Sequence, residues 1–397
     1  MLWRPVCYWR YWENKFFQTK TPAQTSGGFL LTYSVYAKIL GMKKFFFLLF
    51  LILGIFVYYF VYHKENRRPI RPVILTLQTA PVTQEEINYL KEVNPYGILL
   101  FEYSVKGCLP PLPLKKELQK RLNRPDLLFF IDQEGGTVNR LKGLFRKKNY
   151  PPAKEFGDLA QKDLLLAKQK AYKYGKETGQ DLRLHGFDVN FAPAAELCVE
   201  KGFLKTRCFS SDPHITAELA DSFAQGLADA KVEPVYKHAP GIATGKIDPH
   251  SELSLIKRPL KDLLNTEVRA MKNAGKWKHL MIGHAIYTAI DPHQISTYSP
   301  QFYNFVRKNL NFNGLIITDA LNMKTAILPS GSRGEQMYKA LEAGADIVMP
   351  FFDNTFSFDK RLQEINKITP EQIQTFNKKL AQKKAPVENG SLAKDLF

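Results

Sequence analysis

The stretch DLLFFIDQEGGTVNRL, residues 126–141, runs through five successive apolar side chains and then stops on Asp-Gln-Glu-Gly-Gly. A run that is apolar at every position, without alternation, reads as a parallel strand buried on both faces. Its abrupt end puts acidic side chains at the C-terminal end of that strand. The same form recurs at RPVILTLQ (71–78), GILLFEYS (97–104), FDVNFAP (187–193), VEPVYKH (232–238), HLMIGHAIY (279–287), GLIITDAL (314–321) and ADIVMPF (345–351).

Amphipathic segments separate these runs. Residues 83–93 open with a Thr-x-x-Glu capping box, Thr83 to Glu86. Helices are predicted over 113–123 and, as one long element, over 159–186. The segment 212–232 has Asp212 as N-cap and Pro213 at the first helical position. Further helices are predicted over 260–275, 299–311, 332–344, with Gly344 at the stop, and 370–384. Eight strands alternating with helices predict an α/β fold, a (β/α)8 TIM-type barrel; a doubly wound open sheet is the alternative. The barrel domain is assigned to 69–385, followed by a polar tail, 386–397.

The 397 residues carry 56 Lys and Arg against 38 Asp and Glu, a formal charge of +18. Such an excess suits an anionic partner. The basic residues are spread along the chain with no nucleic-acid-binding motif, so solvated basic faces are expected and no nucleic acid. The four cysteines form no C-x-x-C pair, which argues against a zinc ribbon. Cys198 and Cys208 flank one loop and could pair if that loop is exported; free thiols are the expectation. FFFLLFLILGIFVYYFVY, 45–62, is uncharged, of bilayer-spanning length, preceded by MKK and followed by HKENRR. With no small-residue cleavage site after it, it reads as an uncleaved signal-anchor over 42–68: one N-terminal transmembrane helix before the barrel. Met42-Lys-Lys looks like a natural start, so 1–41 reads as an over-extended N-terminus. The expected location is the bacterial inner membrane, with the barrel outside the cytoplasm.

Chemistry in a barrel sits at the C-terminal strand ends. There the sequence puts Asp132-Gln133-Glu134-Gly135-Gly136, then Lys237-His238 with the loop KHAPGIATGKIDPH (237–250), then His284 and Asp319. Each residue alone has a blander reading: a helix cap, a tight bend, a solvated loop histidine. A metal held by His238, His250 and His284 is disfavoured, because no H-E-x-x-H spacing is present and Lys237 would repel a cation. No cofactor or metal is expected.

Taken together these motifs resemble glycoside hydrolase family 3, specifically its single-domain bacterial β-N-acetylhexosaminidases acting on peptidoglycan fragments. FIDQEGGTVNRL is similar to the family's IDQEGGRVxRL, GFDVNFAP to its GINxxFAP, KTRCFSSDP to its R-S-F-(G/S)-x-D-P segment, and KHAPGIATGKIDPH to KHFPGHGDTxxDSH. ITDALNM and EAGADIVM complete the set. The resemblance spans about residues 70–352. It implies that Asp319 is the nucleophile, His250 the general acid/base and Asp248 its partner. It also implies that Asp132, Arg140, Arg207, Lys237 and His238 bind a nonreducing terminal N-acetylglucosamine. His284 lines the pocket with no role assigned.

The departures are as specific. Ala239 stands where the family has Phe, Ile242-Ala243-Thr244 where it has His-Gly-Asp, and Pro249 where Ser is usual. Cys208 replaces Ser, Glu196 an Asp, Thr137 an Arg and Ala320 a second Asp. The assigned residues all survive. Two alternatives stay open: a glycan-binding member that has lost catalysis, and a β-glucosidase specificity.

Overall fold

The computed structural model describes residues 49–55, 68–77, 81–101, 111–142, 150–200, 202–245, 253–327 and 331–384. The chain divides into two compact units, Met1–Arg67 and Arg68–Phe397. In the first, 49–55 is helical with exposed apolar side chains. The rest of the predicted 45–62 span lies outside the described residues, as do 1–41 and 386–397. Among the described residues no helix is long and apolar enough to cross a membrane.

Among its described residues the second unit has ten strands: β1 Arg71–Thr76, β2 Pro95–Leu99, β3 Leu128–Ile131, β4 Val189–Asn190, β5 Glu233–Ala239, β6 Ser254–Ile256, β7 His279–Ile282, β8 Ala285–Tyr287, β9 Leu315–Ala320 and β10 Ile347–Met349. Eight of them close a barrel in the order β1-β2-β3-β4-β5-β7-β9-β10, and each neighbouring pair is parallel. The pairing Val73↔Val348 joins first strand to last and rules out the open sheet. Each barrel strand lies in one of the eight apolar runs or overlaps it.

The continuous hydrophobicity follows from two apolar layers. Ile74, Phe130, Val189, Val235, Met281, Ile317 and Ile347 fill the barrel interior, where Phe376 and Leu380 of the last helix (Pro370–Lys384) join them. Val73, Phe129, Ile131, Leu280 and Ile316 face outward into the larger cluster under the helices. Each such side chain contributes about 1.5–3 kcal/mol on full burial, so neither face of a strand tolerates a polar residue until the strand ends.

Thr83 and Asp212 cap their helices as predicted, the first accepting from the Glu86 amide, the second from His214 and Ile215 with Pro213 next. Four expectations need correction. The long helix over 159–186 is two, Ala153–Ala160 and Leu164–Leu184, because Asp163 accepts the Leu166 amide and starts a new helix. The 260–275 segment contains a π turn, Leu264–Val268, which turns Glu267 into the protein. The run 279–287 splits, its second half pairing with β6 in a separate two-stranded sheet. Cys198 and Cys208 are not free thiols but a disulfide, with Cα atoms 5.3 Å apart.

Candidate functional site

The motif that opens β3's end distributes its residues in different directions. Gln133 is buried; its backbone N–H donates to Asn190 Oδ1 on β4 (2.9 Å), its backbone carbonyl accepts from Asn190 Nδ2 (2.8 Å), and its side-chain oxygen accepts the Leu141 amide (3.0 Å). Asp132 and Glu134 turn to the mouth of the barrel. Gly135, at φ 98°, permits the turn: a Cβ there would lie 2.2 Å from the Tyr174 hydroxyl and 2.4 Å from the Pro151 carbonyl. The double glycine is therefore both a bend and a close approach.

Lys237 and His238 are consecutive, yet both side chains reach the site. The register explains it: Tyr236 pairs with Leu280 but Ala239 with Ile282, so β5 fits one extra residue against β7. Such an irregularity breaks the alternation of faces. Lys237 Nζ bonds Asp132 Oδ1 and lies 2.5 Å from Glu134 Oε1. Arg207 grips Glu134 with two parallel hydrogen bonds, Nε to Oε2 and Nη2 to Oε1, both 2.8 Å. Arg140 Nη2 stands 3.4 Å from Asp132 Oδ2. Five residues from four segments thus form one alternating chain of cations and carboxylates. Burial opposes the charge on Glu134, but Lys237 and Arg207 outweigh it and hold the carboxyl down at about 2. Burial likewise opposes the charge on Lys237, and Asp132 and Glu134 hold its ammonium above the usual lysine range.

His238 faces the other way. Its Nδ1 is 2.7 Å from Glu196 Oε1, and its Nε2 is 3.7 Å from Asp319 Oδ2. Glu196 also accepts the amides of Ile242 (2.6 Å) and Ala243 (2.9 Å), the stem of the 237–250 loop. On the other side of that stem the Thr244 hydroxyl donates to Glu267 at 2.7 Å. Asp319, near the end of β9, accepts the Ala320 amide at 2.7 Å. Burial pushes its carboxyl up, but the neighbouring His238 and His284, that amide and Lys237 prevail and hold it below the ordinary aspartate range. His284 stands behind, its Nε2 donating to the Ala320 carbonyl (3.1 Å) and its Nδ1 2.5 Å from the Thr297 hydroxyl.

Of the predicted site residues, Asp132, Arg140, Arg207, Lys237, His238 and Asp319 come together. Asp248 and His250 lie outside the described residues. Sequence reasoning missed Glu134, Glu196 and Glu267 as parts of the site, and put His284 at the pocket without a role. Glu134 carried one signal, its place between a strand end and two glycines. Glu196 carried only its place at an Asp of the family pattern, since its partners lie 42 to 47 positions away. Among the described residues no group of three or more His, Cys, Asp or Glu could hold a metal ion. A cavity of about 370 Å³ opens beside Lys115, Arg183 and Asp188, at the N-terminal ends of β3 and β4. It is far from this chemistry, and its buried cation, Lys115, is already bonded to Asp188.

A closed parallel barrel with ionised acids and cations gathered at its C-terminal mouth is an enzyme of the TIM-barrel class. The chain belongs to glycosyl hydrolase family 3: the glycosyl hydrolase family 3 N terminal domain matches residues 75–382. It is 29% identical over 282 residues to the beta-hexosaminidase of Nitrosomonas eutropha, covering 70% of this chain and 80% of that protein. The beta-hexosaminidase of Actinobacillus pleuropneumoniae serotype 5b gives 29% over 283 residues, with 70% and 80% covered. Among solved structures, the native NagZ from Neisseria gonorrhoeae superposes with a TM-score of 0.62 at 24% identity, over 79% of this chain and 96% of that one. A family 3 beta-N-acetylglucosaminidase from Paenibacillus gives 0.65 at 23%, over 82% of this chain and 64% of that one. These two likenesses concern the fold.

Proposed function

We propose that the protein is an exo-acting, retaining β-N-acetylglucosaminidase that removes nonreducing terminal N-acetylglucosamine from peptidoglycan-derived fragments. The observation that carries this reading is Asp319: a carboxylate kept ionised at a strand tip, with one hydrogen bond among the described residues, facing His238 across the mouth. The names of the curated relatives support the sugar.

In this reading Asp319 attacks the anomeric carbon as the bond to the leaving oxygen breaks, giving a glycosyl ester. His250 protonates the departing oxygen. It then takes a proton from water as that water attacks the same carbon, which releases the sugar with its configuration retained and regenerates the carboxylate. Asp248 orients the imidazole and supports its charged form. Asp132, Arg140, Arg207, Lys237 and His238 bind the sugar hydroxyls and acetamide. Arg140 and Arg207, both partly exposed at the mouth, are the cations placed to meet an anionic muramyl group.

The anchor at 45–62 tethers the barrel to the bacterial inner membrane on its outer side. The Cys198–Cys208 disulfide supports this, because such bonds persist in oxidising compartments. Protease accessibility in spheroplasts tests it: a barrel protected until lysis overturns the outward placement. The activity is tested with an aryl N-acetyl-β-glucosaminide between about pH 5 and 8, where an imidazole titrates. Turnover by the wild type and its loss in Asp319→Asn are expected. No turnover, or full activity in that variant, overturns the reading. Binding of N-acetylglucosamine without hydrolysis selects the glycan-binding alternative, and faster turnover of the aryl glucoside selects the β-glucosidase.

A further inference from the structure

We propose that the Cys198–Cys208 disulfide is a positioning element of the sugar site, setting the spacing between Glu196 and Arg207; the inference rests on the hydrolase reading above. The crosslink is placed for this. Cys198 follows Glu196 by two residues, and Cys208 directly follows Arg207. Glu196 organises one half of the site, holding His238 and the amides of Ile242 and Ala243. Arg207 organises the other half by forking Glu134. The described residues between the two cysteines form turns and bends only, with no helix or strand to fix the distance.

The disulfide also touches what Glu196 holds. Cys208 is buried and packs in a small apolar cluster with Leu204 and Ala243, against which Cys198, Val199 and Phe203 lie. Ala243 is thus gripped twice, by its amide on Glu196 and by its methyl against the crosslink. The Cys208 side of the loop is itself anchored. A Cβ on Gly157 would lie 1.6 Å from the Phe209 carbonyl, so the helix Ala153–Ala160 sits directly on this segment. The Cys198 amide donates to the Ser210 carbonyl at 2.8 Å. That hydrogen bond and the sulfurs together carry the anchorage to the Glu196 side of the loop. Cys208 and Ala243 thus belong to one buried cluster.

A crosslink that only stabilises acts by restricting the unfolded chain and leaves the folded site unchanged. A positioning crosslink changes sugar binding in the folded protein, and that difference is measurable. The full chain is compared oxidised, reduced with dithiothreitol while folded, and as Cys198→Ser/Cys208→Ser. The measurements are KM and kcat on an aryl N-acetyl-β-glucosaminide, affinity for N-acetylglucosamine by calorimetry, and melting temperature. A displacement of a fraction of an ångström at Glu196 or Arg207 raises KM and weakens sugar affinity about tenfold, with a much smaller change in kcat. Reoxidation of the reduced wild type restores both. Unchanged KM and affinity, with only the melting temperature lowered, overturn the proposal. The reduced wild type provides this test if the double variant does not fold. A protein that binds N-acetylglucosamine but does not hydrolyse overturns the hydrolase reading instead, and the affinity comparison then still decides the brace. An oxidised protein that neither binds nor hydrolyses overturns both.

Discussion

Asp319 at the C-terminal mouth of the barrel is bonded in the opposite way to the acids at the N-terminal end. At the N-terminal end an acid stands at the start of a strand and accepts an amide from the strand beside it. Asp188, before β4, takes the Phe129 amide at 2.8 Å. Glu233, on β5, takes the Lys278 amide, next to β7, at 2.7 Å. Asp346, before β10, takes the Ile316 amide of β9 at 2.8 Å. Two of these acids are further saturated by cations: Asp188 by Lys115 and Arg183, Asp346 by Arg307 and Lys379. These acids bond adjacent strands to one another. At the C-terminal end Asp319 has one amide hydrogen bond among the described residues and a histidine 3.7 Å away. Exposure does not separate the two kinds, since the side chains of Asp188 and Asp319 are 16% and 17% exposed. What separates them is how many lone pairs are already committed. A carboxylate kept charged by its neighbours but with uncommitted lone pairs is available for chemistry.

The sharpest way to break this contrast is to remove one acid from each end. Asp319→Ala is expected to lower turnover roughly 10⁴-fold or more with little change in melting temperature, since the only hydrogen bond it gives up among the described residues is the Ala320 amide. A large fall in melting temperature would make Asp319 structural. Asp346→Ala leaves the Ile316 amide without its acceptor and takes the carboxylate from Lys379 and from Arg307, which keeps the Phe312 and Gly314 carbonyls, and is expected to cost about 1–3 kcal/mol in urea denaturation. The kcat/KM of the folded variant, measured well below its melt, should match the wild type. A smaller change is expected of Glu196→Asp, which restores the family's residue: one methylene less pulls the carboxylate from His238, Ile242 and Ala243. The kcat/KM should fall about tenfold with little loss of stability; an increase would show that the loop, not the acid, departs from its best geometry.

The smallest effect is in pH. Glu134 is depressed to about 2 by Lys237 and Arg207. Its stabilisation is therefore complete above the unfolded glutamate pKa of about 4.3 and is lost as pH falls from there toward about 2. Urea midpoints should drop over that window, and Glu134→Gln should show a shallower slope there. Equal slopes would mean the charge chain at the sugar site adds nothing to stability.

The changed loop becomes intelligible in the same terms. Thr244 replaces an acid of the family pattern, and its hydroxyl donates to Glu267, a buried acid that an aspartate at 244 would repel. Ala243 supplies the methyl that packs on Cys208. Both substitutions answer neighbours that are distant in sequence, one brought in by a π turn and the other by a disulfide.

By itself the sequence determined the barrel and the end of it that carries the chemistry. Eight runs apolar on both faces require a parallel sheet covered on both sides, and the point where each run meets acids, lysine or histidine marks the mouth. Periodicity and strand ends are local properties, so they survive in a string of letters. Which acids are structural, how the consecutive Lys237 and His238 both reach the site, and why Glu134 and Glu196 belong to it were decided only in three dimensions. Those facts depend on which donors reach a given oxygen across 42 to 105 residues of chain. That distance is set by strand register and packing, which no local pattern encodes.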